Sequence, residues 1–138
     1  MSTATLGTDI STPVSDEGLL DLDPAMRLVS GRAMLAQAIG RRITTRPGAL
    51  AWIGESASYG LDVRDQVGSD TDSRTAFALA AAVQAEVLLD ERVRACEVTA
   101  TVVSGVLSLV LRLADADGPF RLTLAISDVT IDLLRVTP

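Results

Sequence analysis

Residues 93–126 read VRACEVTATVVSGVLSLVLRLADADGPFRLTLAI, and their period decides the fold. Residues 93–103 are rich in Val and Thr, Ser104-Gly105 makes a turn, and residues 106–113 place Leu107, Leu109, Leu111 and Leu113 on one face. Residues 114–119 read as a loop. Residues 120–126 bring Leu122, Leu124 and Ile126 together in the same way. A period of two over several short runs separated by Gly, Pro and Asp predicts antiparallel strands with one buried face. Residues 129–136 supply either a further strand or an extension of the last one.

Upstream the period changes to that of a helix. Asp70 or Asp72 can cap a helix running to about Leu89, with Phe77, Ala80, Val83, Val87 and Leu88 as its core stripe. Its other side interleaves Ala78, Ala82 and Ala85 with Arg74, Thr75 and Glu86. That pattern suits either high helix propensity or a smooth face for a neighbour. Residues 49–68 form an irregular segment holding Trp52 and Tyr59, two of the four aromatics, expected to pin the loop to the core or to anchor a partner.

Asp23-Pro24 reads as the start of an earlier helix, with Leu28, Val29, Leu35, Ala36, Ile39 and Ile43 on one side. Arg32 falls inside that stripe and must snorkel outward or find a carboxylate. Pro47-Gly48 ends the helix. Residues 1–20 are expected to be a flexible acidic N-terminal arm, ordering only on assembly, and 21–138 one domain. The fold class is α+β: two helices packed on a small antiparallel three- to four-stranded sheet.

Composition narrows the chemistry. The 138 residues are 48% apolar but only 3% aromatic, so the core is aliphatic. There is no His and, by count, no Lys and no Asn. A Ser-His-Asp triad, an imidazole-ligated metal, Schiff-base chemistry and a phosphate-binding P-loop lysine are thereby excluded. Cys96 stands alone in an apolar strand and reads as a small buried hydrophobe. No cofactor, metal or catalytic set is expected. The net charge of −6 argues against nucleic acid as a partner. Yet Arg27, Arg32, Arg41, Arg42 and Arg46 follow one another with no acid before Glu55, a local basic surface or a solvated helix face. Neither a signal peptide nor a spanning helix is expected, and the protein is expected to be made and used in a cytoplasm or assembled from there.

Four short motifs occur in order. They are Asp21-Leu22-Asp23-Pro24, then Arg41-Arg42-Ile43-Thr44-Thr45-Arg46-Pro47-Gly48-Ala49-Leu50, Tyr59-Gly60-Leu61-Asp62, and Asp90-Glu91-Arg92-Val93. Over about 21–138 this set resembles the baseplate wedge proteins of contractile phage tails and related injection systems, often labelled tail-lysozyme-like, whose members act as sheath initiators. The chain departs from that pattern before Tyr59, where Asp-Pro is missing, and at Glu91, which stands in place of Pro.

The resemblance implies a structural, non-enzymatic role: a multicopy component of the virion tail baseplate, or of a cytoplasmic injection particle, assembled in the host cytoplasm. Its partners would be the sheath protein and other wedge proteins, with the tail tube or hub as a further contact, and no nucleic acid or membrane. A sheath strand would extend its sheet. The residues implied to contact partners are Arg41, Arg42, Thr45, Pro47, Gly48, Tyr59, Gly60, Asp90, Glu91 and Arg92. The Asp90–Arg92 corner could equally be an internal salt bridge. Two alternatives belong to other classes. One is a muralytic glycoside hydrolase drawing on Glu55, Glu86, Glu91 or Glu97, which needs two carboxyls at a set separation. The other is a small adaptor or anti-adaptor binding domain.

Overall fold

The computed structural model describes residues 7–11, 24–54, 59–63, 73–103, 106–126 and, by backbone, 131–137. The elements are β1 (Thr8–Ile10), β2 (Leu28–Ser30), α1 (Gly31–Thr44), a short 3-10 turn (Ala51–Ile53), α2 (Ser73–Val87), β3 (Ala95–Val103), β4 (Val106–Asp115), β5 (Gly118–Ile126) and β6 (Ile131–Thr137). The last four strands form one antiparallel sheet in the order β3-β4-β5-β6, and β1-β2 is a separate antiparallel ribbon. The α+β class holds: the described residues form two α-helices, a four-stranded sheet and the two-stranded ribbon.

Period two does the folding work. Leu107, Leu109 and Leu111 of β4 and Leu122, Leu124 and Ile126 of β5 are buried on one face. Cys96, Val98, Ala100 and Val102 of β3 continue that face toward the edge. Each buried Leu or Ile contributes about 1.5–3 kcal/mol, so this layer is the main stabilising element. Leu35, Ile39 and Ile43 of α1 and Leu79, Val83 and Val87 of α2 cover it. Helix α2 packs over β3, while α1 packs over β6 and against α2.

Several expectations require correction. The first helix begins at Gly31, not at Pro24. Residues 28–30 instead pair with Thr8–Ile10, and Gly31, with φ 68°, turns the chain from that strand as the first residue of the helix. Val29 therefore packs from a strand, and Leu28 is 70% exposed. Residues 8–10, within the stretch 1–20 whose composition suggests a flexible arm, form a strand; residues 1–6 and 12–20 lie outside the described residues, as does Asp23.

In α2 the inward stripe is Ala76, Leu79, Ala80, Val83 and Val87, whereas Phe77 is 79% exposed and Leu88 also faces solvent. At about 100° per residue, Phe77 lies about a third of a turn from Val83 at the middle of that stripe. Asp70 and Asp72 lie outside the described residues. The expected loop at 114–119 is a tight turn instead: β4 runs to Asp115 and β5 starts at Gly118. Pro119 is accommodated because β6 pairs only from Arg121 onward, leaving the outer side of Pro119 without a ladder bond to supply.

Candidate functional site

The motif residues converge where α1 ends beside α2. Arg42 Nε donates to Glu86 Oε1 of α2 at 3.0 Å, and the Gly60 N–H donates to the same oxygen at 2.9 Å. The Arg42 guanidinium lies over the Tyr59 ring, 4.6 Å from its centroid. Thr45 closes α1 by donating its hydroxyl to the Arg41 carbonyl at 2.6 Å. Gly60 has φ 103°, and a Cβ there would overlap the Thr45 carbonyl oxygen. The Tyr-Gly step is therefore a junction: one side stacks under an arginine, the other abuts the end of α1.

The second part of the corner follows α2. Arg92 holds Asp90 through two side-chain bonds, Nε to Oδ1 at 2.9 Å and Nη2 to Oδ2 at 2.7 Å. The Arg92 backbone N–H adds a third at 3.0 Å, and Val93 N–H donates to the Asp90 carbonyl at 3.0 Å. Burial alone would raise the Asp90 carboxyl, but the bonds from Arg92, with the charges of Arg92 and Arg42, hold it below the usual carboxylate range. Asp90–Arg92 is the internal salt bridge that locks the helix-to-strand corner. Arg41 reaches Asp9 of β1 at 3.7 Å, which joins the β1-β2 ribbon to the same surface.

Of the ten positions the resemblance singles out, Arg41, Arg42, Thr45, Tyr59 and Gly60 thus share one junction, and Asp90 and Arg92 form the adjoining corner. Pro47, Gly48 and Glu91 are exposed beside them; Glu91 adds only its charge next to Arg92. Glu86 was missed as its centre. The signal was available: it is the one acid in α2, spaced one helical turn before Asp90.

The chain matches no family model and no curated protein.

A second polar cluster ties α1 to the sheet. Arg32 grips Asp115 with Nε to Oδ2 at 2.9 Å and Nη2 to Oδ1 at 3.1 Å, and Nη2 also donates to the Gly118 carbonyl at 3.2 Å. Its guanidinium stacks on Phe120 at 4.7 Å. Asp115 accepts the Asp117 N–H at 2.9 Å, which shapes the β4–β5 turn. The arginine in the apolar stripe therefore finds a carboxylate. Trp52 does not pin its segment to the core; it is 82% exposed. Cys96 is half-buried and burial pushes its thiol up to about 11, so it stays protonated at neutral pH.

Among the four glutamates weighed for glycoside hydrolysis, Glu86 is held by Arg42 and Gly60, and Glu91 and Glu97 are exposed. Glu55 lies outside the described residues. No group of three metal-ligating side chains occurs among the described residues.

The sheet supplies a further feature. Its outer strand β3 pairs with β4 in unbroken register from Ala95↔Ala114 to Val103↔Val106. Among the described residues, no strand lies along its other side.

Proposed function

We propose that the chain is a structural, non-enzymatic subunit of a contractile-tail baseplate wedge, a sheath initiator that accepts a strand from the first sheath ring. The observation that carries this reading is β3. Natural edge strands are usually blunted by lysine, proline, a bulge or brevity. β3 has nine residues, no Pro, no Gly, no bulge and one charge, Glu97. The opposite edge is different: pairing of β5 with β6 shifts register between Thr123 and Leu124, and Asp132 and Arg135 stand in the β6 sequence. An added strand gains main-chain hydrogen bonds regardless of its side chains, which suits a joint between unlike proteins.

The corner complements this role. Arg42, Glu86 and Gly60 fix the two helices to each other, so β3 is offered on a firm frame. Pro47, Gly48 and Glu91 stand exposed for wedge neighbours. The partners proposed are the sheath subunit and other wedge proteins, with tail tube or hub as a further contact, in a multicopy ring at the tail baseplate.

Hydrogen exchange on the full chain, alone and mixed with the sheath subunit of the same tail, tests the reading. Amides of 95–103 should gain protection in the mixture while those of 131–137 stay unchanged. Protection confined to 131–137, or none in the sheet, would overturn strand addition at β3.

A further inference from the structure

β1 and β2 make a ribbon of three residues a side, apart from the main sheet. Two-stranded ribbons are at best marginally stable in water unless packing supports them. The two strands differ in that support. Val29 of β2 packs against the core, and two residues beyond Ser30 the Arg32 side chain is clamped to Asp115 and the Gly118 carbonyl. β2 is thereby fixed to the body of the molecule. In β1 and its flanks, Thr8 and Asp9 are exposed, Gly7, Ile10 and Ser11 are half-buried, and none of the five belongs to the core.

Among the described residues, polar contacts tie β1 to α1. Gln37 Nε2 donates to the Ser11 hydroxyl at 3.2 Å, and Arg41 lies 3.7 Å from Asp9. Asp9 keeps 59% of its side-chain surface in water, so salt screens that ion pair. The Asp9 charge is also felt at Arg92, so the acid faces the corner as well as Arg41. The ribbon closes on the Ser11 N–H, which donates to the Arg27 carbonyl at 2.7 Å. Just before Arg27, Met26 has φ 54°, in the left-handed region that a side chain enters at a cost. Little buried apolar surface, a screened ion pair and a strained entry belong to the low-stability end of a native structure.

We infer that β1 is a strap that opens and closes on an otherwise intact fold, with Asp9 as its latch. Closed, it covers the β2 edge and sets an acid beside Arg41 and Arg92. Open, it leaves the β2 main chain without its strand partner and withdraws that negative charge from the corner. β2 stays in place throughout, held by Val29 and by the Arg32 clamp. Ionic strength therefore sets how often the corner is presented without its acid. The ribbon is separate from β3, so this inference does not rest on the proposed function.

Hydrogen exchange on the full chain reads the strap through the Ser11 amide. Opening of β1 alone should let that amide exchange at least about a hundredfold faster than those of 107–111, with little response to low denaturant. Raising NaCl from about 0.05 to about 0.5 M should speed it about two- to fivefold further, the share an exposed ion pair supplies. Asp9→Asn should show the faster rate at low salt, respond little to more, and keep the denaturant midpoint of the parent. Thr8 and Ser30 face each other across the ribbon, within reach of a disulfide. Thr8→Cys with Ser30→Cys, in a Cys96→Ala background, should slow Ser11 exchange when oxidised and release it when reduced. A Ser11 rate equal to that of 107–111 at every denaturant concentration would mean that β1 leaves only when the whole fold does. A rate that neither salt nor Asp9→Asn moves would remove the latch. Either result would overturn the inference, as would fast Ser11 exchange that persists in the oxidised form.

Discussion

Asp115 has no exposed side-chain surface, while its partner Arg32 keeps 27%. The Arg32 hydrogen bonds are the chief reason that the Asp115 carboxyl sits below its ordinary value; burial opposes them, and the Arg32 charge assists. A carboxyl depressed by folding contributes its full stabilisation above the unfolded-state value, about 3.9, and loses it as pH falls through the folded-state value. Asp90 has the same sign. With no histidine in the chain, few groups titrate between pH 5 and 8, so stability should change little there and decline below about pH 4. Asp115→Asn should cost about 2 kcal/mol at pH 7, less than a fully buried pair would lose because water reaches Arg32. Urea melts at pH 7, 5 and 3 check this: the gap to the parent protein should narrow toward pH 3. A gap that persists there would trace the loss to packing rather than charge.

Elements meet at Gly60, which donates to Glu86 of α2 and abuts the Thr45 carbonyl at the end of α1. Gly60→Ala adds a Cβ only 3.0 Å from the Thr45 carbonyl carbon, at a φ of 103° that side chains rarely adopt. The helix ends must separate or the turn must strain, at a cost of about 2–3 kcal/mol. A denaturant midpoint within error of the parent would show that the junction yields freely. This junction was partly legible: the Arg42, Thr45, Tyr59 and Gly60 motifs were visible along the chain, but their meeting on Glu86 is a contact between distant residues. The strands were legible for a simpler reason, since Leu107 to Ile126 alternate in both sequence and space. Two readings failed where a local signal lost to a tertiary one. Asp23-Pro24 has the chemistry of a helix start, yet pairing with Thr8–Ile10 keeps residues 28–30 extended. Phe77 has the chemistry of a core residue, yet Leu79 and Val83 fill that side of α2 and leave the ring outside.

At the scale of the whole molecule, stability and the proposed assembly role fall on opposite parts of the sheet. β4 and β5 are paired on both sides and carry the buried leucines, so their integrity sets the fold. β3 is paired on one side, and its Glu97, Thr99, Thr101 and Val103 side chains are exposed on the face away from the helices. A charge placed there touches nothing in the core, and substitutions of that kind usually stay within about 0.5 kcal/mol. Lysine on an edge strand does oppose pairing with an incoming strand, which must bring its own side chains past a hydrated ammonium. Thr101→Lys should therefore leave the denaturant midpoint of the free protein nearly unchanged while weakening capture of the sheath subunit by at least about tenfold, some 1.4 kcal/mol. The same substitution on β5, Thr123→Lys, sits between two paired strands and should spare capture. Titrating sheath subunit against the three proteins separates the cases. Equal affinity for Thr101→Lys and the parent would mean that the open side of β3 is not where the assembly joins.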